Sequence, residues 1–232
     1  MSEHGHHHSH HYDLSKRHYW QRVDETSDNN FYHDPRLVVH VDEHFIATLG
    51  LYFTEHLLPH ATLLDLMSSY KTHLPADYKR GRVVGLGLNA VELQSNAQLD
   101  EFIIHDLNQH PTLPYPDATF DVVLNTVSIQ YLIHPLEVFR EVGRVLKPGG
   151  SHIVSFSNRM FPTKAVQIWR ELSELERVVL VKQYFTEAGL FEPPEEFEEI
   201  DHQHHSGGFL ALLYGSKDPV YIVSAKKLSR NG

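Results

Sequence analysis

From Ala61 to Lys226, short β-rich runs alternate with helical or turn segments. A chain satisfies that pattern by laying strands side by side in one mostly parallel sheet and returning through helices on its faces. The runs are Ala61–Leu66 (ATLLDL), Arg82–Leu86 (RVVGL), Glu101–His105 (EFIIH), Phe120–Asn125 (FDVVLN) and Ser151–Ser157 (SHIVSFS). Two more strands are predicted over Phe197–His202 and Val220–Lys226, the second announced by the turn signal Asp218-Pro219. Between the fourth and fifth runs, Leu136, Phe139, Val142, Val145 and Leu146 form an apolar helical stripe, with Glu137, Arg140, Glu141 and Arg144 largely off it. Lys147 is expected to complement the C-terminus of that helix, and Pro148-Gly149-Gly150 to stop it. A long helix is predicted over Lys164–Ala188, with Gly189 as its C-cap.

Ahead of the alternating region, Lys16 to His60 mixes polar and aromatic residues and then turns periodic. Pro35 suits a helix start, and Leu37, Val41, Phe45, Leu49 and Phe53 recur at helical intervals, so one or two helices are expected before Pro59. Met1 to His11 carries His4, His6, His7, His8, His10 and His11, a polar tract expected to stay disordered. Such a tract reads as an expression tag or as a tail that binds zinc, nickel or copper ions loosely, and no built metal centre is expected from it. The chain thus divides into a His-rich tail (1–15), an N-terminal helical cap (16–60) and an α/β domain (61–228).

Charge and cysteine content narrow the function classes. The formal net charge is −10, which disfavours nucleic acid and anionic membrane as partners. No apolar run approaches the roughly 20 residues of a membrane span. With 0 cysteines there is no disulfide, thiolate metal site or thiol nucleophile, and a cytoplasmic location is expected.

The segment Leu113–Gly150, LPYPDATFDVVLNTVSIQYLIHPLEVFREVGRVLKPGG, combines a proline-bearing acidic loop, FDVV, an aromatic-rich turn, an amphipathic helix and a KPGG turn. It resembles the fourth-strand block of the class I S-adenosylmethionine (SAM)-dependent methyltransferases. The resemblance extends from about Ala61 to Lys227 and includes DPVYIVSAKK, which is similar to the family's last strand. It implies a Rossmann-like α/β fold: a seven-stranded, mostly parallel sheet with an antiparallel last strand, flanked by helices. It also implies SAM bound across the C-terminal edges of the first strands, with S-adenosylhomocysteine as product. That placement agrees with the rule for open α/β sheets.

Carried over residue by residue, the resemblance assigns the first-strand loop to Asp65, Met67, Ser68 and Ser69. This loop departs from the family pattern in having no glycine; its DLMSS sequence is similar to a methyltransferase-like group with a serine-bearing loop. Ser68 and Ser69 are expected to donate to the methionine carboxylate. After the second strand, the family's ribose-binding acid is replaced by Gly85-Leu86-Gly87-Leu88-Asn89. Gly87 permits close approach, and Asn89 is the ribose candidate; a helix N-cap is its competing role and Glu92 the alternative ligand. Asp106, with Leu107 beside it, matches the acid that accepts from the adenine amine, and a capped turn is its competing role. Asn125 is expected between cofactor and acceptor.

The reaction implied is methyl transfer to a small-molecule acceptor, an in-line displacement that rests on alignment more than on one diagnostic side chain. Candidates near the acceptor are Tyr32, Arg36, His40, Gln130, Tyr131 and His134. Arg36 suits a carboxylate, of SAM or of an acidic acceptor, or a surface ion pair. A non-catalytic binding or regulatory descendant of the fold is the alternative, because the first loop lacks glycine and the ribose acid is missing. Metal binding at Asp201-His202-Gln203-His204-His205 lacks a convincing fourth ligand, and no G-x-S-x-G elbow signals a hydrolase.

Overall fold

The computed structural model describes residues 10–200 and 217–229. Its strands are β1 (Leu63–Leu66), β2 (Val83–Gly87), β3 (Glu101–Ile104), β4 (Phe120–Thr126), β5 (Leu146–Phe156), β6 (Glu195–Glu199) and β7 (Val220–Lys226). The helices are α1 (Asp28–Phe31), α2 (Glu43–His56), α3 (Ala90–Ser95), α4 (Pro135–Val145), α5 (Gln167–Glu171) and α6 (Glu174–Ala188). One sheet runs in the order β3-β2-β1-β4-β5-β7-β6, parallel throughout except for β7, which is antiparallel to both of its neighbours. This is the Rossmann-like sheet with reversed last strand that the sequence implied.

Every residue of β1 and β2 is buried, because helices cover both faces and no polar alternation is required. Leu63, Val83 and Val122 meet Phe45, Leu49 and Phe53 of α2 on one face. Their neighbours Leu64, Val84 and Val123 point the other way and join Phe139, Val142, Val181 and Phe185 of α4 and α6. The strand order reverses between β1 and β4, so the crevice that admits a ligand opens at their C-terminal ends.

Several predicted boundaries are corrected. Pro35 does not start a helix: Leu37 is 47% exposed, and α2 begins at Glu43 with the Asp42 carboxylate accepting from the Phe45 amide. The segment 164–188 is not one helix. Ser173 and Glu176 form a capping box that starts α6 afresh after α5, and Gly189 closes α6 at φ 75° as expected. Pro148-Gly149-Gly150 does not end a helix before a new strand; β5 begins at Leu146 and carries the four residues 147–150 as an excursion. Phe120 pairs with Leu146 and Val122 already with Ser151. Lys147 pairs with Asp121 at 3.4 Å. The sixth strand lies at Glu195–Glu199, slightly earlier than predicted.

Candidate functional site

A cavity of about 800 Å³ opens at the crevice. Its walls come from the loops after β1, β2, β3 and β4, from residues 158–162 after β5, and from the N-terminal segment through Asp28, Tyr32, Arg36 and His40.

The loop after β1 solves its lack of glycine by strain. Met67 itself takes the left-handed region at φ 51°, which glycine occupies at less cost, and the Ser68 amide then donates to the Leu86 carbonyl at 2.7 Å. The space for this turn is provided across the gap, since a Cβ at Gly87 would lie 2.4 Å from the Ser68 carbonyl oxygen. Asp65 does not line the large cavity. It is buried beside it, in a small cleft of about 60 Å³, and accepts from the Ser68 hydroxyl at 2.6 Å and the Thr72 hydroxyl at 2.9 Å. Burial pushes its carboxyl up to about 7, against the opposing pull of those two hydroxyls. Ser69 donates to Glu92 Oε1 at 2.8 Å. Both serine hydroxyl protons are therefore directed at carboxyl groups, which leaves only lone pairs on those two oxygens.

After β2, Asn89 is the N-cap of α3, its Oδ1 accepting from the Val91 and Glu92 amides. Its Nδ2 donates to the Tyr32 and His33 carbonyls at 3.0 Å each, so the amide is fully used in tying the N-terminal segment to the cavity rim. Glu92, one turn on, is buried and lines the cavity. After β3, Asp106 Oδ1 accepts from the Asn108 amide at 2.9 Å, while Oδ2 is buried without any partner. Leu107 lies beside it, buried on the cavity wall.

Asn125 and Gln130 are buried off the cavity wall. Asn125 Oδ1 accepts from Ser128, and Gln130 Nε2 donates to the Val127 carbonyl. His134 does not line the cavity either, whereas Tyr131 does. The Tyr131 hydroxyl accepts from the Phe161 amide at 2.8 Å, and its ring stacks on Phe161 at 6.0 Å. Burial, and then proximity to Tyr131 and Asp28, hold the Tyr32 phenol far above its ordinary range; burial also raises Tyr131. Both phenols are neutral at physiological pH. His40 is displaced the other way: burial lowers it, Glu92 opposes and Arg36 assists, leaving a neutral imidazole.

Sequence reasoning missed the anchor of the N-terminal segment. Asp28 pairs with Arg22 and, at 3.1 Å, with Lys164, whose side chain is 0% exposed, and it accepts from Asn108 Nδ2 at 2.8 Å. Lys164 also donates to the Thr26 carbonyl at 2.8 Å. Asp28, Asn108, Phe161 and Arg170 line the cavity without any local signal in the chain. His4, His6, His7 and His8 and the 201–205 cluster lie outside the described residues. Among the described residues, which include His10 and His11, no three potential ligands assemble around a common point.

The methyltransferase domain model matches residues 68–154, the part that carries β2 to β4, α4 and most of β5. Over these residues the chain is similar to the SAM-dependent methyltransferases, and it has the fold of their class I. A ubiquinone/menaquinone biosynthesis C-methyltransferase of Laribacter hongkongensis is 29% identical to the chain over 123 residues, 45% of the chain and 50% of the relative. A malonyl-[acyl-carrier protein] O-methyltransferase of Marinomonas is 33% identical over 66 residues, 28% of the chain and 24% of the relative. The chain thus spans half or less of the length of these curated relatives. Among solved structures, the PH0226 protein of Pyrococcus horikoshii shares the fold with a TM-score of 0.55 and 19% identity, covering 85% of this chain and 98% of that one.

Proposed function

We propose that the chain is an active methyltransferase that moves the methyl group of SAM to a small-molecule acceptor held in the 800 Å³ cavity. The observation that carries this reading is Asp106 Oδ2, a buried carboxylate oxygen with no partner on the cavity wall. Leaving such an oxygen desolvated is costly unless a ligand donor meets it, and the adenine amine is that donor. SAM supplies an electrophilic methyl group on a sulfonium; the chain supplies position. Glu92 takes the ribose hydroxyls in place of Asn89, whose amide is already spent. Ser68 and Ser69 turn their lone pairs to the methionine ammonium rather than donating to the carboxylate. Residues 16–60 act as the cap, and Tyr32, Tyr131 and Phe161 exclude water from the reacting end.

Calorimetric titration with SAM and S-adenosylhomocysteine tests the assignment. Asp106→Ala is expected to weaken both ligands by about 10- to 100-fold, the worth of a hydrogen bond to a charged acceptor. Wild-type affinity for neither ligand would overturn the reading and leave a repurposed fold; intact affinity in the variant would move the adenine elsewhere.

For an acceptor that must lose a proton, His40 is the base, since it lines the cavity with its imidazole neutral. Protonation disables it, so the rate is expected to fall as pH drops through a value below the ordinary histidine range of about 6.5. His40→Gln is expected to lower kcat about 100-fold with SAM affinity unchanged. A pH–rate profile that keeps the same acid limb in the variant would remove His40 from this role.

A further inference from the structure

The charges around the cavity are unevenly spread. Glu92 belongs to α3, which follows β2, and Asp106 to the loop after β3, whereas the N-terminal segment and the region after β5 contribute Arg36, Arg159 and Arg170. Arg159 is engaged by Asp218 at 2.7 Å. Arg36 and Arg170 have no carboxylate within ion-pair distance among the described residues. Arg170 spends only Nε, on the Ala165 carbonyl at 3.3 Å, and its two terminal nitrogens remain exposed at the cavity. Two unpaired guanidinium groups at one cavity are unexpected in a chain of net charge −10.

Arg36 is the more constrained of the two. Its guanidinium carbon lies 4.7 Å from the centre of the Phe31 ring, 5.3 Å from Phe161 and 5.5 Å from Tyr32. Its Nη2 donates to the Phe31 carbonyl at 3.1 Å, but Nη1 is buried with no partner at all. The three rings stabilise the cation and hold the guanidinium in place without satisfying that N–H, which still needs an acceptor oxygen.

Charge balance indicates which ligand brings that oxygen. Unpaired carboxylates and unpaired guanidinium groups at the cavity are two of each, Glu92 and Asp106 against Arg36 and Arg170, since Asp24 and Asp28 together balance Arg22 and Lys164. SAM itself carries a sulfonium, an ammonium and one carboxylate, a net single positive charge. The loaded cavity would therefore be left positive, and an anionic acceptor offsets that charge. We propose that Arg36 and Arg170 recognise an anionic group, a carboxylate or a phosphate, on an apolar or aromatic methyl acceptor that packs against Tyr32 and Phe161. This assignment rests on the SAM-binding reading above and names the substrate class of the same cavity.

The test is a titration of the full chain saturated with S-adenosylhomocysteine, using benzoate, phenyl phosphate and the neutral benzyl alcohol as probes, followed by calorimetry or ligand-observed NMR. S-adenosylhomocysteine lacks the sulfonium and so leaves the two guanidinium groups as the source of any anion preference. At least one anion is expected to bind about tenfold tighter than the alcohol, and whichever of benzoate and phenyl phosphate binds tighter assigns the headgroup. Arg36→Gln is expected to erase that preference while leaving S-adenosylhomocysteine affinity within about twofold, and Arg36→Lys to restore it in part, because lysine keeps the charge but loses the planar fork. Arg170→Gln, at an exposed position where folding is not in question, is expected to reduce the preference by a smaller factor. An unchanged preference in both glutamine variants would overturn the proposal. So would a tenfold loss of S-adenosylhomocysteine affinity in Arg36→Gln with the anion preference intact, which would give Arg36 to the cofactor's own carboxylate. If the wild-type chain fails to bind S-adenosylhomocysteine, the methyltransferase reading falls; the same titration without it still shows or refutes the anion preference at Arg36.

Discussion

Replacing Asp28 by alanine is expected to destabilise the fold by about 3–5 kcal/mol, the penalty for stranding buried charge. The side chains of Arg22 and Asp28 are 6% and 7% exposed, and that of Lys164 is not exposed at all. Without Asp28, Lys164 keeps carbonyl oxygens and Asp24 at 3.5 Å, and Arg22 keeps only Glu25 at 3.9 Å. Asn108 loses a hydrogen-bond acceptor as well. Denaturant unfolding measures the cost. The triple variant Asp28→Asn with Arg22→Met and Lys164→Met is expected to recover much of it, because a desolvated site without charges needs no compensation. A cost below about 1 kcal/mol for the single change would mean that water reaches this cluster. The same variant should weaken SAM about tenfold, as α1 and the aromatic residues that follow it lose their hold on the region after β5.

The second large effect is a pH dependence that Asp65 imposes on stability. Its carboxyl titrates at about 7 in the folded chain and near its ordinary 3.8 when unfolded. Folding therefore takes up a proton between those values, and the stabilisation present below about pH 4 is lost as pH rises to about 7. Asp65→Asn removes the titration while keeping an oxygen for Ser68 and Thr72. The stability of the variant relative to wild type is expected to climb by about 4 kcal/mol between about pH 4 and about pH 8, from a shift of about three units in a fully buried group. The comparison with wild type is needed because two histidines work the other way. Burial holds His152 at about 3 and His73 at about 4, so each adds stability as pH rises towards the ordinary histidine range. Both chains carry those two, and the difference isolates Asp65. A difference that stays flat with pH would show that the Asp65 carboxyl is ionised in the folded chain throughout.

This position also illustrates how far sequence carries into the site. The family resemblance placed Asp65 in the first-strand loop, and the structure puts it at the root of that loop, where it aligns Ser68 and Thr72 without reaching the large cavity. Asn89 was open between ribose ligand and helix cap, and the answer depended on the Tyr32 and His33 carbonyls, more than fifty residues earlier in the chain. Glu92, named as the alternative, becomes the proposed ligand once Asn89 is occupied. The break before α6 was readable as Ser173-x-x-Glu176, a local signal overlooked inside a long helical pattern. The start of α2 was not readable, since Asp42 is held by reciprocal bonds with Asp218, at 2.8 and 2.7 Å, across 176 residues of sequence.

The alternation of apolar runs and amphipathic stripes by itself determined the seven strands and the helix between the fourth and fifth, while the edge of the sheet where a ligand is expected came from the family resemblance. Burial of apolar surface is set by periodicity within one element, and a strand covered on both faces announces itself as an unbroken apolar run. Only the tertiary structure decided what the cavity offers to a ligand. Which donors and acceptors are already spent, as in Asn89 and Ser69, and which are left over, as in Asp106 Oδ2 and Arg36 Nη1, follows from pairings between distant segments. Hydrogen bonds and charges are satisfied or stranded by whatever folds against them, and that is a property of the packed chain, not of any stretch of it.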